Sequence, residues 1–254
     1  MNLYFNRELQ TGYKSNSQIA RVLTEDWVLN NSYSPSCGNL KLEKYGNNNP
    51  ASDFYCNKCN SNFELKSSKS PLTNKVVDGA FNTMIQKIKS SENPHFLFLN
   101  YSREFKVINF FVIPKYYFIP EIIERRKPFN INARRAGWIG CNILLKNLPN
   151  SGIIFLVKNE TIADPIFVNE QWGKTVFLKN EKLNNRGWLL ELISIIDLIP
   201  NKRFSLIDIY KYEKYFKEKF PKNNFIKEKL RQQLQVLRDA GFIKFIDKGI
   251  YERS

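Results

Sequence analysis

The sequence of 254 residues contains a single histidine and lacks several common functional patterns. A histidine-based catalytic triad or metal site would depend on His95 alone, which opens an apolar segment, so we expect neither. No glycine-rich phosphate-binding loop is present, and no apolar stretch reaches the roughly 18 residues of a membrane span. The first residues, MNLYFNRELQ, carry charge and no apolar run, so we expect neither a signal peptide nor a membrane association.

Cysteines and acidic residues are also few. Four cysteines do not make a disulfide framework in a chain of this size, and three of them cluster with metal-like spacing, so we expect a reducing, cytoplasmic location. Lys and Arg outnumber Asp and Glu by 39 to 24. Codon usage that enriches lysine would explain this excess of basic residues without any functional cause. Binding to a polyanionic partner is the functional explanation. Residues 201–254 hold 14 basic and 7 acidic residues, and this local density favours nucleic acid.

The pattern of apolar residues predicts two domains, 1–183 and 184–254. In the first, 15–30 and about 78–89 are predicted to be amphipathic helices. Near-continuous apolar runs predict buried strands at 95–101, 106–113 and 153–158. Strands flanked by helices in this order indicate an α/β fold with a mixed sheet.

The apolar pattern of residues 184–254 predicts a mainly α winged helix-turn-helix domain. Helices are expected over 186–198, 204–220 and 223–239, followed by a hairpin of 242–246 and 250–253. The third helix would enter the major groove, where arginine and glutamine read base edges. A merely solvated helix face is the alternative, and the wing and the local charge favour DNA binding. The candidate contacts on the face opposite its apolar stripe are Lys227, Arg231, Gln232, Gln235 and Arg238.

Asp53, Glu64 and Lys66 form the strongest candidate for catalysis. Asp53 opens one short predicted strand, and Glu64 and Lys66 share one face of the next because they are two residues apart. The two carboxylates and the backbone carbonyl of Leu65 could hold Mg²⁺, which would polarise a phosphoryl oxygen and acidify a water. Lys66 would orient that water and stabilise the developing negative charge. A Glu-x-Lys pair on an exposed strand is common, so this pattern alone is weak.

The turn between the two strands has the spacing of half a zinc knuckle, Cys56-x-x-Cys59. The other half would be residues 34–37, which supply Cys37 but have Ser34 in place of a fourth cysteine. Four thiolates would make a closed structural Zn²⁺ site, whereas three leave a position for water or a weaker site. Zinc occupancy is therefore open, and its role would be to pin the turn that joins the catalytic strands.

Several segments resemble one family along nearly the whole chain. The spacing Asp53-x10-Glu64-Leu65-Lys66 after Pro50 resembles the PD-(D/E)xK nuclease motif, which is weakly specific by itself. Sharper matches are YKSNSQ at 13–18, LTEDW at 23–27, DFYCN at 53–57, RRAGWIGCN at 134–142 and much of NNFIKEKLRQQLQVLR at 223–238. Together they resemble the DpnI family of methyl-directed type II restriction endonucleases.

The resemblance implies a monomer that cuts double-stranded DNA at GATC sites carrying N6-methyladenine, with Mg²⁺, and whose two domains both sense the methylated site. It assigns metal and catalytic roles to Asp53, Glu64 and Lys66. Arg134, Arg135 and Trp138 also match, and Trp138 is a candidate for sensing methyladenine, with ordinary packing as the alternative. The family has a cysteine where Ser34 stands. The rivals are a non-catalytic regulator that binds methylated DNA, and a nuclease selective for junctions or RNA.

Overall fold

The structure is a computed structural model that describes residues 1–46, 52–69 and 73–254. Pro50, which precedes the acidic motif, lies outside these residues. The chain divides into two compact units, Met1–Thr175 and Val176–Ser254. The domain boundary predicted between residues 183 and 184 stays a prediction, and a helix of the second unit, Leu183–Leu198, begins there.

Two β-sheets are described in the first unit. One has seven strands in the order β1-β2-β3-β5-β6-β9-β10, and the other has three in the order β4-β8-β7, with the bounds given below. Neighbouring strands are antiparallel except β3 and β5, which are parallel, so the predicted mixed sheet is confirmed. The strands are β1 (Glu43–Lys44), β2 (Phe54–Tyr55), β3 (Asn62–Ser68), β4 (Lys75–Ala80), β5 (His95–Tyr101), β6 (Val107–Ile113), β7 (Ile123–Arg125), β8 (Gly140–Leu144), β9 (Ile154–Lys158) and β10 (Thr161–Ile162).

The centre of the large sheet is apolar on both faces, as its sequence predicts. All seven residues of β5 are buried, and β5, β6 and β9 agree with the predicted strands to within one residue. On one face pack α1 (Asn16–Asn31), which fulfils the helix predicted over 15–30, and α3 (Pro165–Gly173). On the other face phenylalanine rings stack, with Phe98 and Phe111 centroids 5.1 Å apart.

The helix predicted over 78–89 is wrong at its start. It is α2 (Phe81–Ser90), and Asp78 belongs to β4 instead. Two β-branched residues, Val76 and Val77, favour the strand, and the strand pairs with β8 up to Ala80. The pairing shifts between Asp78 and Ala80, which is a β-bulge. The apolar spacing that predicts a helix is a local pattern and holds no information on pairing with residues more than 60 positions away.

The second unit is a winged helix-turn-helix, as predicted. Its helix α7 has the predicted apolar stripe, in which Leu230, Leu234 and Leu237 are fully buried. Strands β12 and β13 form the wing, and β13 also pairs with β11, so the strand order is β11-β13-β12. The elements are α4 (Leu183–Leu198), β11 (Arg203–Ser205), α5 (Leu206–Tyr210), α6 (Glu213–Lys219), α7 (Ile226–Asp239), β12 (Ile243–Asp247) and β13 (Ile250–Arg253).

The single helix predicted over 204–220 is wrong, because this segment contains β11, α5 and α6. Ser205 begins α5 with a capping box: its hydroxyl accepts from the Asp208 amide, and the Asp208 carboxylate accepts from the Ser205 amide at 2.9 Å. Residues before this cap cannot belong to the helix. Phe204 therefore lies in β11, where its ring stacks on Tyr251.

Among the residues that the structure describes, no helix combines the length and apolar character needed to cross a membrane.

Candidate active site

Asp53 and Glu64 line one cleft of the first unit, with a cavity volume of about 250 Å³. Strands β2 and β3 pair with Phe54 opposite Phe63, which brings Asp53, just before β2, alongside Glu64. The Asp53 carboxylate accepts a hydrogen bond of 2.7 Å from the Leu65 amide. The amide and carbonyl of one strand residue point to the same side, so the Leu65 carbonyl faces this edge too. The three groups predicted to hold Mg²⁺ thus lie together, and their binding of it stays a prediction.

The two faces of β3 differ as the alternation of its sequence predicts. Phe63 is fully buried, and Leu65 packs against the same core from the face that α1 covers. Glu64 and Lys66 are half-buried on the opposite face, beside Phe96 of β5, whose ring centroid is 5.9 Å from the Lys66 ammonium. A rigid apolar backing therefore fixes the direction of the two charged side chains.

Lys66 lies between two carboxylates, and one of them was missed by reasoning from the sequence. Its Nζ is 2.5 Å from Glu64 Oε1 and forms a second ion pair with Asp78 Oδ1. Asp78 comes from β4 of the small sheet, lines the same cleft, and its side chain is 6% exposed. The two valines before Asp78 were the available signal for a strand, but the helical spacing that follows obscured it.

The electrostatics of the cleft favour a bound cation. Burial raises the pKa of Asp53 above its usual range, and the hydrogen bond from the Leu65 amide offsets only part of this. Burial also raises the pKa of Glu64 despite the nearby Lys66. For Lys66, burial lowers the pKa, but Glu64 and Asp78 raise it by more. Three carboxylates and one ammonium leave a formal charge of −2, and hard oxygen donors with this charge suit Mg²⁺.

The three predicted zinc-ligating cysteines also come together. The sulfur atoms of Cys37, Cys56 and Cys59 all lie within 4.8 Å of one another, the one such group of potential metal ligands in the described residues. Ser34 is fully buried beside them, with its Oγ 3.4 Å from the Cys59 sulfur. Burial raises the pKa of Cys59, but hydrogen bonds with neighbouring serines together outweigh burial and lower this pKa to about 6. A lowered pKa favours the thiolate, which is the form that binds a metal.

The two turns of this cluster are alike in their backbone. The Gly38 amide donates to the Ser34 carbonyl at 2.8 Å, and the Asn60 amide donates to the Cys56 carbonyl at 2.9 Å. Both turns end in a left-handed residue, Gly38 at φ 72° and Asn60 at φ 56°. Ser34 therefore occupies the position equivalent to Cys56, at the fourth corner. Three sulfur atoms and one hydroxyl fit a Zn²⁺ site that has lost one thiolate.

The predicted DNA-contacting residues of the first unit lie on a loop between β7 and β8. The loop closes on itself, because the Phe129 amide donates to the Trp138 carbonyl at 2.9 Å. Its base is next to the cleft, since Gly140 pairs with Ala80, a cleft residue. Arg134 and Arg135 are exposed on it.

Trp138 is half-buried and packs on its own loop. Its ring centroid is 5.0 Å from that of Phe129, and a Cβ on Gly140 would come within 2.8 Å of the ring. Only glycine leaves room for the ring there. This contact supports the packing interpretation of Trp138, and its role in sensing methyladenine stays a prediction.

The predicted face of α7 is exposed, but one of its members differs from the rest. At about 100° per residue, Lys227, Arg231, Gln235 and Arg238 lie within an arc of about 80°. Gln232 lies about 60° beyond this arc and accepts a hydrogen bond of 2.8 Å from Lys229. All three cations of this face have acidic neighbours at 2.8–3.2 Å: Lys227 has Glu213, Arg231 has Glu228, and Arg238 has Asp239.

His95 is a core residue, as expected for the start of an apolar strand. It is 3% exposed, and its Nδ1 accepts a hydrogen bond of 3.0 Å from the Lys115 amide. Burial, with a smaller effect of the Lys115 charge, lowers the pKa of His95 to about 3. The imidazole is therefore neutral and built into the fold.

The fold and these sites define a class: an α/β protein with an acid-lined cleft in a mixed sheet, joined to a winged helix-turn-helix. The family model described as the Dam-replacing family, DpnI, matches residues 1–181, and that of the Dam-replacing HTH domain matches residues 184–253. The chain belongs to the Dam-replacing (DpnI) family. Membership confirms the resemblance seen in the sequence and indicates a restriction-system nuclease with a DNA-binding winged helix.

Proposed function

We propose that this protein is a methylation-dependent type II restriction endonuclease. It acts as a monomer and hydrolyses double-stranded DNA at GATC sites carrying N6-methyladenine, with Mg²⁺ as cofactor. The observation that carries this proposal is the cleft lined by Asp53 and Glu64, with Lys66 in an ion pair with Glu64, in a chain that also has a basic winged helix. Membership of the DpnI family supports the same activity.

Asp53, Glu64 and the Leu65 carbonyl would hold the metal, and Lys66 would act on the reacting groups. Bound Mg²⁺ supplies Lewis-acid polarisation of the phosphoryl oxygen and a more acidic water. The Lys66 ammonium donates to the attacking water or to a phosphate oxygen and stabilises the negative charge that develops there. Phe63 and Leu65 pack into the core and keep β3 from shifting when DNA binds.

DNA recognition would involve both units. In the winged helix, arginine and glutamine side chains of α7 can read base edges while lysines contact phosphates. In the first unit, Arg134 and Arg135 would contact phosphates, and Trp138 would meet the methyl group of the modified adenine. Zn²⁺ at Cys37, Cys56 and Cys59 would hold the turn between β2 and β3 without taking part in the chemistry.

The test compares plasmid DNA from adenine-methylating and non-methylating hosts. With Mg²⁺, we expect cleavage of the methylated plasmid at GATC sites and none of the other plasmid. Cleavage of both plasmids, or of neither, would contradict the proposal. Asp53→Ala should bind methylated DNA and leave it intact. A DNA-binding regulator without catalysis would behave like this variant even when its sequence is unaltered.

A further inference from the structure

We propose that Asp78 is a positioning residue that holds the Lys66 ammonium in the cleft when Glu64 turns to a metal ion. This inference rests on the proposed nuclease activity. Asp78 contacts Lys66 from a different sheet, β4, whereas Glu64 lies two residues from Lys66 on the same strand. The lysine is therefore held from two independent parts of the fold.

The backbone of β4 directs Asp78 to this position. Asp78 is paired with Cys141 of β8, and the register then shifts before Ala80 pairs with Gly140. A bulge of this kind turns the adjacent side chains and is frequent beside active sites. The Asp78 side chain is 6% exposed, compared with 24% for Glu64. Such a buried carboxylate needs a partner, and the Lys66 ammonium is in contact with it.

The number of hydrogen-bond donors on lysine explains why two carboxylates are useful. An ammonium has three N–H groups. Glu64 and Asp78 take two of them, which leaves one for a water or a phosphate oxygen. A metal held by Glu64 would compete with Lys66 for the same carboxylate. Asp78 then remains as the group that keeps the lysine from swinging away.

The variant Asp78→Asn keeps the size of the side chain and removes its charge. With saturating methylated DNA and Mg²⁺, we expect the single-turnover cleavage rate to fall about 10- to 100-fold. The affinity for methylated DNA, measured with Ca²⁺ in place of Mg²⁺, should change less than about twofold, because the proposed role of Asp78 is to hold Lys66 and not to contact DNA. An unchanged cleavage rate would overturn the inference.

The Mg²⁺ dependence of the rate separates positioning from metal binding. If Asp78 acts through Lys66, the Mg²⁺ concentration at half-maximal rate stays within about twofold in Asp78→Asn, and added Mg²⁺ does not restore the rate. Restoration by excess Mg²⁺ would overturn the inference and make Asp78 a group that attracts the metal. In a Lys66→Ala background, adding Asp78→Asn should lower the cleavage rate little further, because the effect of Asp78 passes through the lysine. A full additional loss would contradict the inference.

Glu124→Gln is the matched control. Glu124 forms an ion pair of 2.7 Å with Lys75 of the same strand as Asp78, but neither residue lines the cleft. The cleavage rate of Glu124→Gln should remain within about twofold of the rate of the unaltered protein. If Asp78→Asn does not fold, Asp78→Glu, which keeps the charge, decides: it should fold and keep more activity than Asp78→Ala at equal folded fraction, and equal activities would overturn the inference. An unaltered protein that cuts no methylated DNA would instead refute the proposed function.

Discussion

The two ends of the β2–β3 hairpin carry two candidate metal sites, and the sequence keeps the expected side chains at one end and not at the other. At the cleft end, both predicted carboxylates and the lysine are present and in contact with one another or with the backbone. At the turn end, one of four expected ligands is Ser34, yet the backbone there has the same turn on both sides. Hydrogen bonds of the main chain can therefore preserve a ligand geometry after one ligand has changed, whereas the cleft depends on the side chains themselves.

The largest effect should come from the cleft end. Asp53→Asn removes a carboxylate predicted to bind the metal, so cleavage of methylated DNA should fall by at least about 10²- to 10³-fold. DNA affinity should be retained, as measured by fluorescence anisotropy. Glu43→Gln is the control, because Glu43 bonds to Tyr55 and Asn57 of the same hairpin away from the cleft. Equal losses in both variants would mean that the hairpin, not the Asp53 charge, is what matters.

A smaller effect is expected at the turn end. Ser34→Cys would complete four thiolates, so the affinity for Zn²⁺ should rise on the order of 100-fold. Competition with a chromophoric chelator measures this, and charge-transfer absorption of the Co²⁺ form reports the added thiolate. Ser34→Ala should bind more weakly than the unaltered protein. If the serine, alanine and cysteine forms bind equally, the fourth corner contributes nothing to the site.

The smallest effect on the two candidate metal sites is expected from β5, the strand that pairs with β3 of the hairpin, where the change concerns stability. His95 pairs with Phe63, next to Glu64, and its pKa is lowered by burial to about 3 in the folded state from about 6.5 when unfolded. The unfolded chain thus binds more protons between these values, so the contribution of His95 is present above pH 6.5 and is lost as the pH falls towards 3. Between pH 3 and pH 6.5, the free energy of unfolding measured with urea should depend less on pH in His95→Gln than in the unaltered protein. Parallel pH curves for the two proteins would contradict the burial of a neutral imidazole.

The sequence predicted those features whose cause is local. The apolar runs of β5, β6 and β9 specify buried strands, and the alternation in Phe63, Glu64, Leu65 and Lys66 specifies the two faces of β3. The Cys-x-x-Cys spacing likewise predicts that Ser34 lies at a ligand position of the cysteine cluster. In each case the residues that decide the structure are neighbours in the chain.

What was missed depends on distant pairing. The apolar spacing predicts a helix at Asp78, whereas its place in β4 depends on pairing with β8, and its contact with Lys66 depends on how two sheets meet. Similarly, β11 exists because it pairs with β13 at the end of the chain, almost 50 residues later. Gln232 is of the same polar type as the residues of the α7 face, but the helix geometry places it outside that face, where it accepts a hydrogen bond from Lys229.

The parallel pair β3–β5, the one among the described strands of the large sheet, limits which insertions and deletions the chain can accept. Because β3 and β5 run in the same direction, the chain must return from the end of β3 to the start of β5, and β4 and α2 form part of that return path. The same path brings Asp78 to Lys66. Losing one residue at the bulge would remove the register shift beside Asp78, which helps to set the direction of its side chain. Between β4 and α2, therefore, the chain length is fixed by the cleft, and deletions there should be far rarer among relatives than substitutions.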